Sequence, residues 1–292
     1  MLSEQVQTDK EKHKVKSEPK YRKSLNKDQL SVLELLYEYR FGNSEHIARY
    51  FNKTSPKHIQ KRLRILEDQK LIGKRYDSSY KLRGKPAAYY LQPKGARTMM
   101  HYSPPPDDEP LNVKGLYKNK TVSENFITYC LCIFGAYLSL RSTYGSKLSF
   151  FTKNDLNYKP YDYFPNPLPS AYLRLQTGTN EDDDKMFFLD VFLDNTPFFI
   201  LIRRIKKYLQ YAGSGDWVNK DIPTVLMACE TNSTQKRLWK RLVRELNDSY
   251  EKVTFATTTI SLLTNNPAKA KIWRKVEGHN WEDTELISLV EL

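Results

Sequence analysis

Three consecutive prolines, Pro104 to Pro106, lie within the segment SPPPDDEP (Ser103 to Pro110), and no other stretch constrains the fold so strongly. Proline lacks a backbone donor and clashes with the preceding helical turn, so helix is excluded here and the neighbouring acidic cluster stays solvated. A second break is Met1 to about Asn26, which is polar, rich in Lys and Glu, and too poor in large apolar residues to bury a core. The two breaks divide the 292 residues into a disordered basic arm (1–26), a compact unit (27–100), a linker (101–116) and a larger domain (117–292). No internal repeat is visible.

Charge follows the same division. Residues 1–100 hold 23 Lys/Arg against 11 Asp/Glu, whereas residues 101–292 hold 24 against 23. A polyanionic partner is therefore expected for the first third only, and nucleic acid is the obvious candidate. No run approaches the roughly 18 apolar residues of a membrane span, and the N-terminus has no signal-peptide core, so a cytoplasmic protein without membrane contact is expected. Cys130, Cys132 and Cys229 are odd in number and lack CxxC spacing, which argues against disulfides and structural zinc. The five histidines form no HxH, HExxH or HxxxH pair, which removes the usual metalloenzyme patterns.

Within 27–100, Leu30, Leu33, Leu36 and Tyr37 repeat at helical spacing and predict a first helix ending near Phe41-Gly42. Asn43-Ser44 offers an N-cap for a short second helix. Thr54-Ser55-Pro56 predicts a third, with a capping hydroxyl and proline at the first helical position. Ile59, Leu63 and Leu66 form its inner face, and Lys57, His58, Gln60, Lys61, Arg62 and Arg64 its outer one. Lys74–Tyr76 and Ala87–Leu91 then read as two short strands joined by a turn-rich segment carrying Lys81, Arg83 and Lys85. Three helices and a basic hairpin make the winged helix-turn-helix plan, whose third helix enters the major groove. The stretch SPKHIQKRLRILEDQKLIGKR…GKPAAYYLQPKGARTM resembles the recognition helix, wing and closing strand of winged-helix DNA-binding domains. These nine polar residues are accordingly the candidate DNA contacts, with Gln60, Lys61 and Arg62 at base edges.

In the larger domain a long helix is predicted over Thr121–Arg141, followed by strands at Leu148–Thr152, Ala171–Leu175 and the apolar run KMFFLDVFLD. An acidic turn, Asn180 to Asp184, precedes that third strand. A helix from about Pro197 to Tyr211, the strand IPTVLMACE, an amphipathic helix over Thr231–Asn247 and the strand KVTFATTTISLL complete a mixed α/β sheet with helices on both faces. This order resembles the PD-(D/E)xK, or restriction-endonuclease-like, core. With the preceding unit, and through LPSAYLRLQ, FFLDVFLD, RRIKKYLQYAGSGDW and IPTVLMACETNSTQKRLWKRL, the chain resembles the replication-relaxation family of bacterial plasmid and mobile-element proteins.

The resemblance implies where a nuclease would keep its metal. Hydrolysis of a phosphodiester needs carboxylates converging on Mg²⁺ and a lysine near the scissile phosphate. The position after Pro169 is Ser170 instead of Asp. Asp190 matches the second carboxylate, but Phe192 stands where the lysine belongs. Glu124 and Lys207 could supply a substitute carboxylate and cation. The catalytic set is thus incomplete: no metal site is assigned, and no cofactor is expected unless the domain is active with Mg²⁺. Arg203, Arg204, Lys206, Lys207, Tyr208, Tyr211 and Trp217 read either as a nucleic-acid track or, preferably, as a core helix with a solvated basic face. The leading expectation is a sequence-selective, double-stranded DNA-binding protein in plasmid replication initiation or DNA processing. A homodimer or other replication and mobilisation proteins are possible partners. A metal-dependent nuclease or nickase, and a transcription regulator with an oligomerisation domain, remain the alternatives.

Overall fold

The computed structural model describes residues 24–102, 115–156, 163–178, 183–217, 221–265, 271–278 and 280–292. Most of the expected arm, the triple proline and most of the acidic turn lie outside them. The fold is mixed α/β with two sheets.

Helix α1 (Lys27–Glu38) starts at a capping box in which Asn26 and Gln29 exchange side-chain and backbone bonds. Arg40, in the left-handed region at φ 64, ends it and turns the chain into strand β1 (Phe41–Asn43). The expected helix end at Phe41-Gly42 is therefore a strand, too short to show a period. Asn43 caps helix α2 (Ser44–Tyr50) as predicted, accepting from the His46 amide at 2.7 Å. Helix α3 (Lys57–Asp68) buries Ile59, Leu63 and Leu66. Its proline differs from expectation: Pro56 holds the cap position, and the Ser55 hydroxyl accepts from Lys57 at 3.4 Å.

Strand β2 (Ile72–Arg75) leads not into a bare turn but into a helical turn, α4 (Ser78–Leu82), because the Asp77 carboxylate accepts from the amides of Ser79 and Tyr80. Strand β3 (Ala88–Leu91) lies between its neighbours, giving the antiparallel order β1-β3-β2. Helix α5 (Pro93–Tyr102), which periodicity missed, contains Gly95; a Cβ there would stand 2.1 Å from the Leu71 carbonyl oxygen. Only glycine lets the helix lie this close.

Helix α6 (Glu124–Tyr144) follows a short 3-10 turn at Leu116–Lys120. Strand β4 (Leu148–Thr152), helix α7 (Lys153–Leu156), strand β5 (Ala171–Leu175) and strand β6 (Lys185–Phe192) come next. Then follow helix α8 (Phe198–Ser214), strand β7 (Thr224–Cys229), helix α9 (Asn232–Asn247), strand β8 (Phe255–Thr259), helix α10 (Ile260–Asn265) and strand β9 (Arg274–Lys275). The six strands are ordered β4-β5-β6-β7-β8-β9, with β6, β7 and β8 parallel and the other pairs antiparallel. The last predicted strand ends early: Thr259 caps the Leu262 amide, and Ile260 onward is helix.

Side chains alternate across β6. Phe187, Leu189 and Val191 join the core beneath α6, while Phe188 and Phe192 join the one beneath α8 and α9. Helix α6 also closes the smaller unit. Its Phe134 ring stacks on Tyr39 with centroids 4.4 Å apart, and Ile127 and Cys130 pack with Phe41, Ala88 and Tyr90. One apolar core thus runs from α1 to β6, each such side chain contributing roughly 1.5–3 kcal/mol on burial. Glu124–Lys147 is long and apolar enough to cross a membrane by length and composition alone; here it packs between the two sheets.

Candidate nucleic-acid interface

Because Ile59, Leu63 and Leu66 hold α3 to the core, its remaining positions must face outward. Lys57, His58, Gln60, Lys61 and Arg64 are exposed, as are Lys81, Arg83 and Lys85 on and beyond α4. Lys57, Lys61, Lys81 and Lys85 make no ion pair among the described residues. Between α3 and the α4 segment runs a groove of about 440 Å³ that gathers Gln60, Lys74, Tyr76, Lys81 and Lys85. Lys74 and Tyr76 were absent from the residues expected by sequence. An aromatic ring among cations was the signal, and Lys74 sits 5.7 Å from the Tyr76 ring centre.

Arg62 is placed differently from its neighbours. It is half-buried, bonded to Asp28 of α1 at 2.6 Å, and lies over the Phe51 ring. Its charge is used to fasten α3 to α1. The base of the α4 segment is fastened too. Glu124, at the start of α6, receives Arg75 at 3.0 Å and the Tyr80 hydroxyl at 2.5 Å, while Arg75 also donates to the carbonyls of Lys120 and Val122.

The larger unit treats its charges in another way. Asp190 is 6% exposed and Arg204 7%. One Asp190 oxygen accepts from the Ser170 amide at 3.1 Å and hydroxyl at 3.2 Å. The other accepts from Arg204 Nε at 2.5 Å and Tyr208 at 2.8 Å. Arg204 further donates to Tyr208 and to the Pro167 carbonyl, and Tyr129 donates to the Ser170 hydroxyl at 2.6 Å. Burial works to lower the Arg204 pKa, but the Asp190 carboxylate and Tyr208 outweigh it and hold it above the ordinary value. Burial, then Asp190, raises Tyr208.

Ser170 and Asp190, the two positions aligned in sequence with the nuclease carboxylates, meet in the structure, and the Asp190 carboxylate is saturated by protein donors. Glu124 belongs to the Arg75–Tyr80 contact, and Lys207 is exposed on α8. No group of three His, Cys, Asp or Glu side chains suited to a metal occurs among the described residues. The described residues do not fit the Mg²⁺ of a nuclease. The solvated basic face expected for α8 holds for Arg203, Lys206 and Lys207 but not for Arg204, which turns inward with Tyr208 and Tyr211. Trp217 packs among Tyr163, Phe164 and Phe188.

Above this network a cavity of about 290 Å³ separates the two units, lined by Glu38, Arg40, Tyr129, Lys153 and Ser170 among others. Burial pushes the Glu38 carboxyl up to about 7. On α2, where His46 packs against the Phe134 ring, burial lowers its pKa to about 4.

Two sheets sharing one long helix, with free cations on the smaller unit and a sealed Ser–Asp–Arg network in the larger, define a two-part α/β protein. Residues 33–225 match the family described as replication-relaxation, and the chain belongs to that family. Membership associates it with replication or relaxation of plasmids and mobile elements. Neither the curated proteins nor the solved structures yield a match.

Proposed function

We propose that this chain is a DNA-binding protein of a plasmid or mobile element, acting on duplex DNA in the cytoplasm during replication initiation or DNA processing. In this reading the segment from α1 to β3 serves as a winged helix, with α3 in the major groove and the α4 segment as the wing. The larger unit is a restriction-endonuclease-like scaffold that binds or positions without hydrolysis. The observation that carries the reading is the groove joining Gln60 of α3 to Lys74, Lys81 and Lys85. Lys74 faces Glu67 at 4.0 Å, but Lys81 and Lys85 make no ion pair among the described residues and give up little on meeting phosphate, and each neutralised phosphate releases counterions.

Fluorescence anisotropy of the full chain on labelled duplex DNA, at several salt concentrations, tests this. Lys81→Ala and Lys85→Ala should each reduce the slope of log K against log salt by about 0.9, whereas Lys206→Ala and Lys207→Ala should leave it unchanged. Equal slopes for all four would remove the groove from the binding surface. Metal-dependent nicking of supercoiled plasmid, lost in Asp190→Asn, would establish the nuclease reading instead.

A further inference from the structure

The tip of the α4 segment carries one side chain that phosphate binding does not account for. Leu82 is 87% exposed and stands directly between Lys81 and Arg83, with Lys85 close behind. Isolated exposed leucines are ordinary on protein surfaces, so exposure alone says little. The backbone beneath this one is fixed at several points. Asp77 caps the turn through the Ser79 and Tyr80 amides, and Tyr80 is buried and bonded to Glu124. Gly84, at φ +62, closes the turn so that the Lys85 amide donates to the Tyr80 carbonyl. A turn held at its start, middle and end presents a bare isobutyl group outward on a segment that also carries Lys81, Arg83 and Lys85.

We propose that Leu82 is a minor-groove wedge, inserting between base steps of duplex DNA while Lys81, Arg83 and Lys85 hold the flanking phosphates. The inference rests on the DNA-binding reading above and adds deformation of the DNA to it. An apolar side chain entering a base step unstacks it and kinks the duplex by about 20–90° towards the major groove. The cations supply the charge complementarity that brings the tip to the groove, and the fixed turn spares the entropy of ordering it. A kinked, partly unstacked step suits a protein that acts where a replicon must be opened.

The test uses full-length protein and a fragment recovered by selection from plasmid DNA. Bending is read from energy transfer between dyes at the fragment's two ends, and unstacking from 2-aminopurine placed at successive steps. Wild type and Leu82→Phe should bend the fragment and brighten one step. Leu82→Ala should bind within about tenfold of wild type yet leave the DNA straight and the fluorophore quenched. A wild-type complex that binds without bending, or a Leu82→Ala complex that bends equally, overturns the wedge and leaves DNA binding standing. Absence of binding by wild-type protein on any fragment overturns both.

Discussion

In the smaller unit the cations of α3 other than Arg62, and those of the α4 segment, end in solvent, whereas in the larger the Arg204 guanidinium is folded against Asp190 and only 7% exposed. In sequence the cations of α3 and α8 both stood on amphipathic helices, while those of the α4 segment stood on a turn. The difference lies in what each helix covers. Helix α3 turns only Ile59, Leu63 and Leu66 into the core, so every cation but Arg62 is turned out. Helix α8 lies over a strand whose inward face includes a carboxylate, and one arginine must turn in to meet it. Free charge offers itself to a ligand, while paired buried charge is committed to the fold, where breaking the pair is far more damaging than replacing it whole.

The strongest way to break this contrast is Arg204→Ala. It strands the Asp190 carboxylate in the core and should cost about 3–5 kcal/mol by urea unfolding, with Arg203→Ala on the same helix staying within about 0.5 kcal/mol. Similar losses for both would mean that Arg204 is not the buried partner. A middle-sized effect is expected at Glu38. Its raised pKa means the folded state holds a proton that the unfolded state releases, so its contribution to stability is present at low pH and lost as pH rises from about 4.5 through about 7. Glu38→Gln should therefore exceed wild type by about 2–3 kcal/mol at pH 8, with the gap closing towards pH 5. His46, lowered to about 4, adds a dependence of opposite sign between about 4 and 6.5, which cancels in the difference between variant and wild type. A gap independent of pH would place Glu38 in a solvated setting.

The smallest effect sharpens the comparison within α3 itself. Arg62→Ala removes a half-exposed pair with Asp28 and should cost about 1 kcal/mol or less in stability, while Lys61→Ala should leave stability within about 0.5 kcal/mol. Paired unfolding curves for the two variants decide it. Identical curves would erase the distinction between the fastening arginine and its free neighbour.

Legibility in the sequence tracked length and alternation. Strands β4 and β5 fall on their predicted bounds, because Leu148–Thr152 and Ala171–Leu175 are short apolar runs bounded by turn residues. Strand β1 was hidden since three residues cannot display a period of two. Helix α4 was hidden behind Asp77-Ser78-Ser79, which reads as a turn until its cap is recognised as a helix start. Gly95 and Pro93 disguised α5, whose close approach to Leu71 is a tertiary fact. At the candidate site, the exposed residues of α3 could be read from the spacing of Ile59, Leu63 and Leu66. The partners of Arg62 and Arg204 could not, for Asp28 and Asp190 lie 34 and 14 residues away and only the folded chain brings them near.

The stacked rings of Tyr39 and Phe134, with Gly42 beneath them, bear on how such a protein could be reassembled from parts. A Cβ on Gly42 would lie 3.1 Å from the Phe134 ring, so strand β1 is shaped for this particular helix. Grafting the smaller unit onto another body would leave Tyr39 and Phe41 facing water and α6 without its lid. Exchange of the smaller unit is thus constrained at this seam, whereas the outward residues of α3 can change without disturbing it.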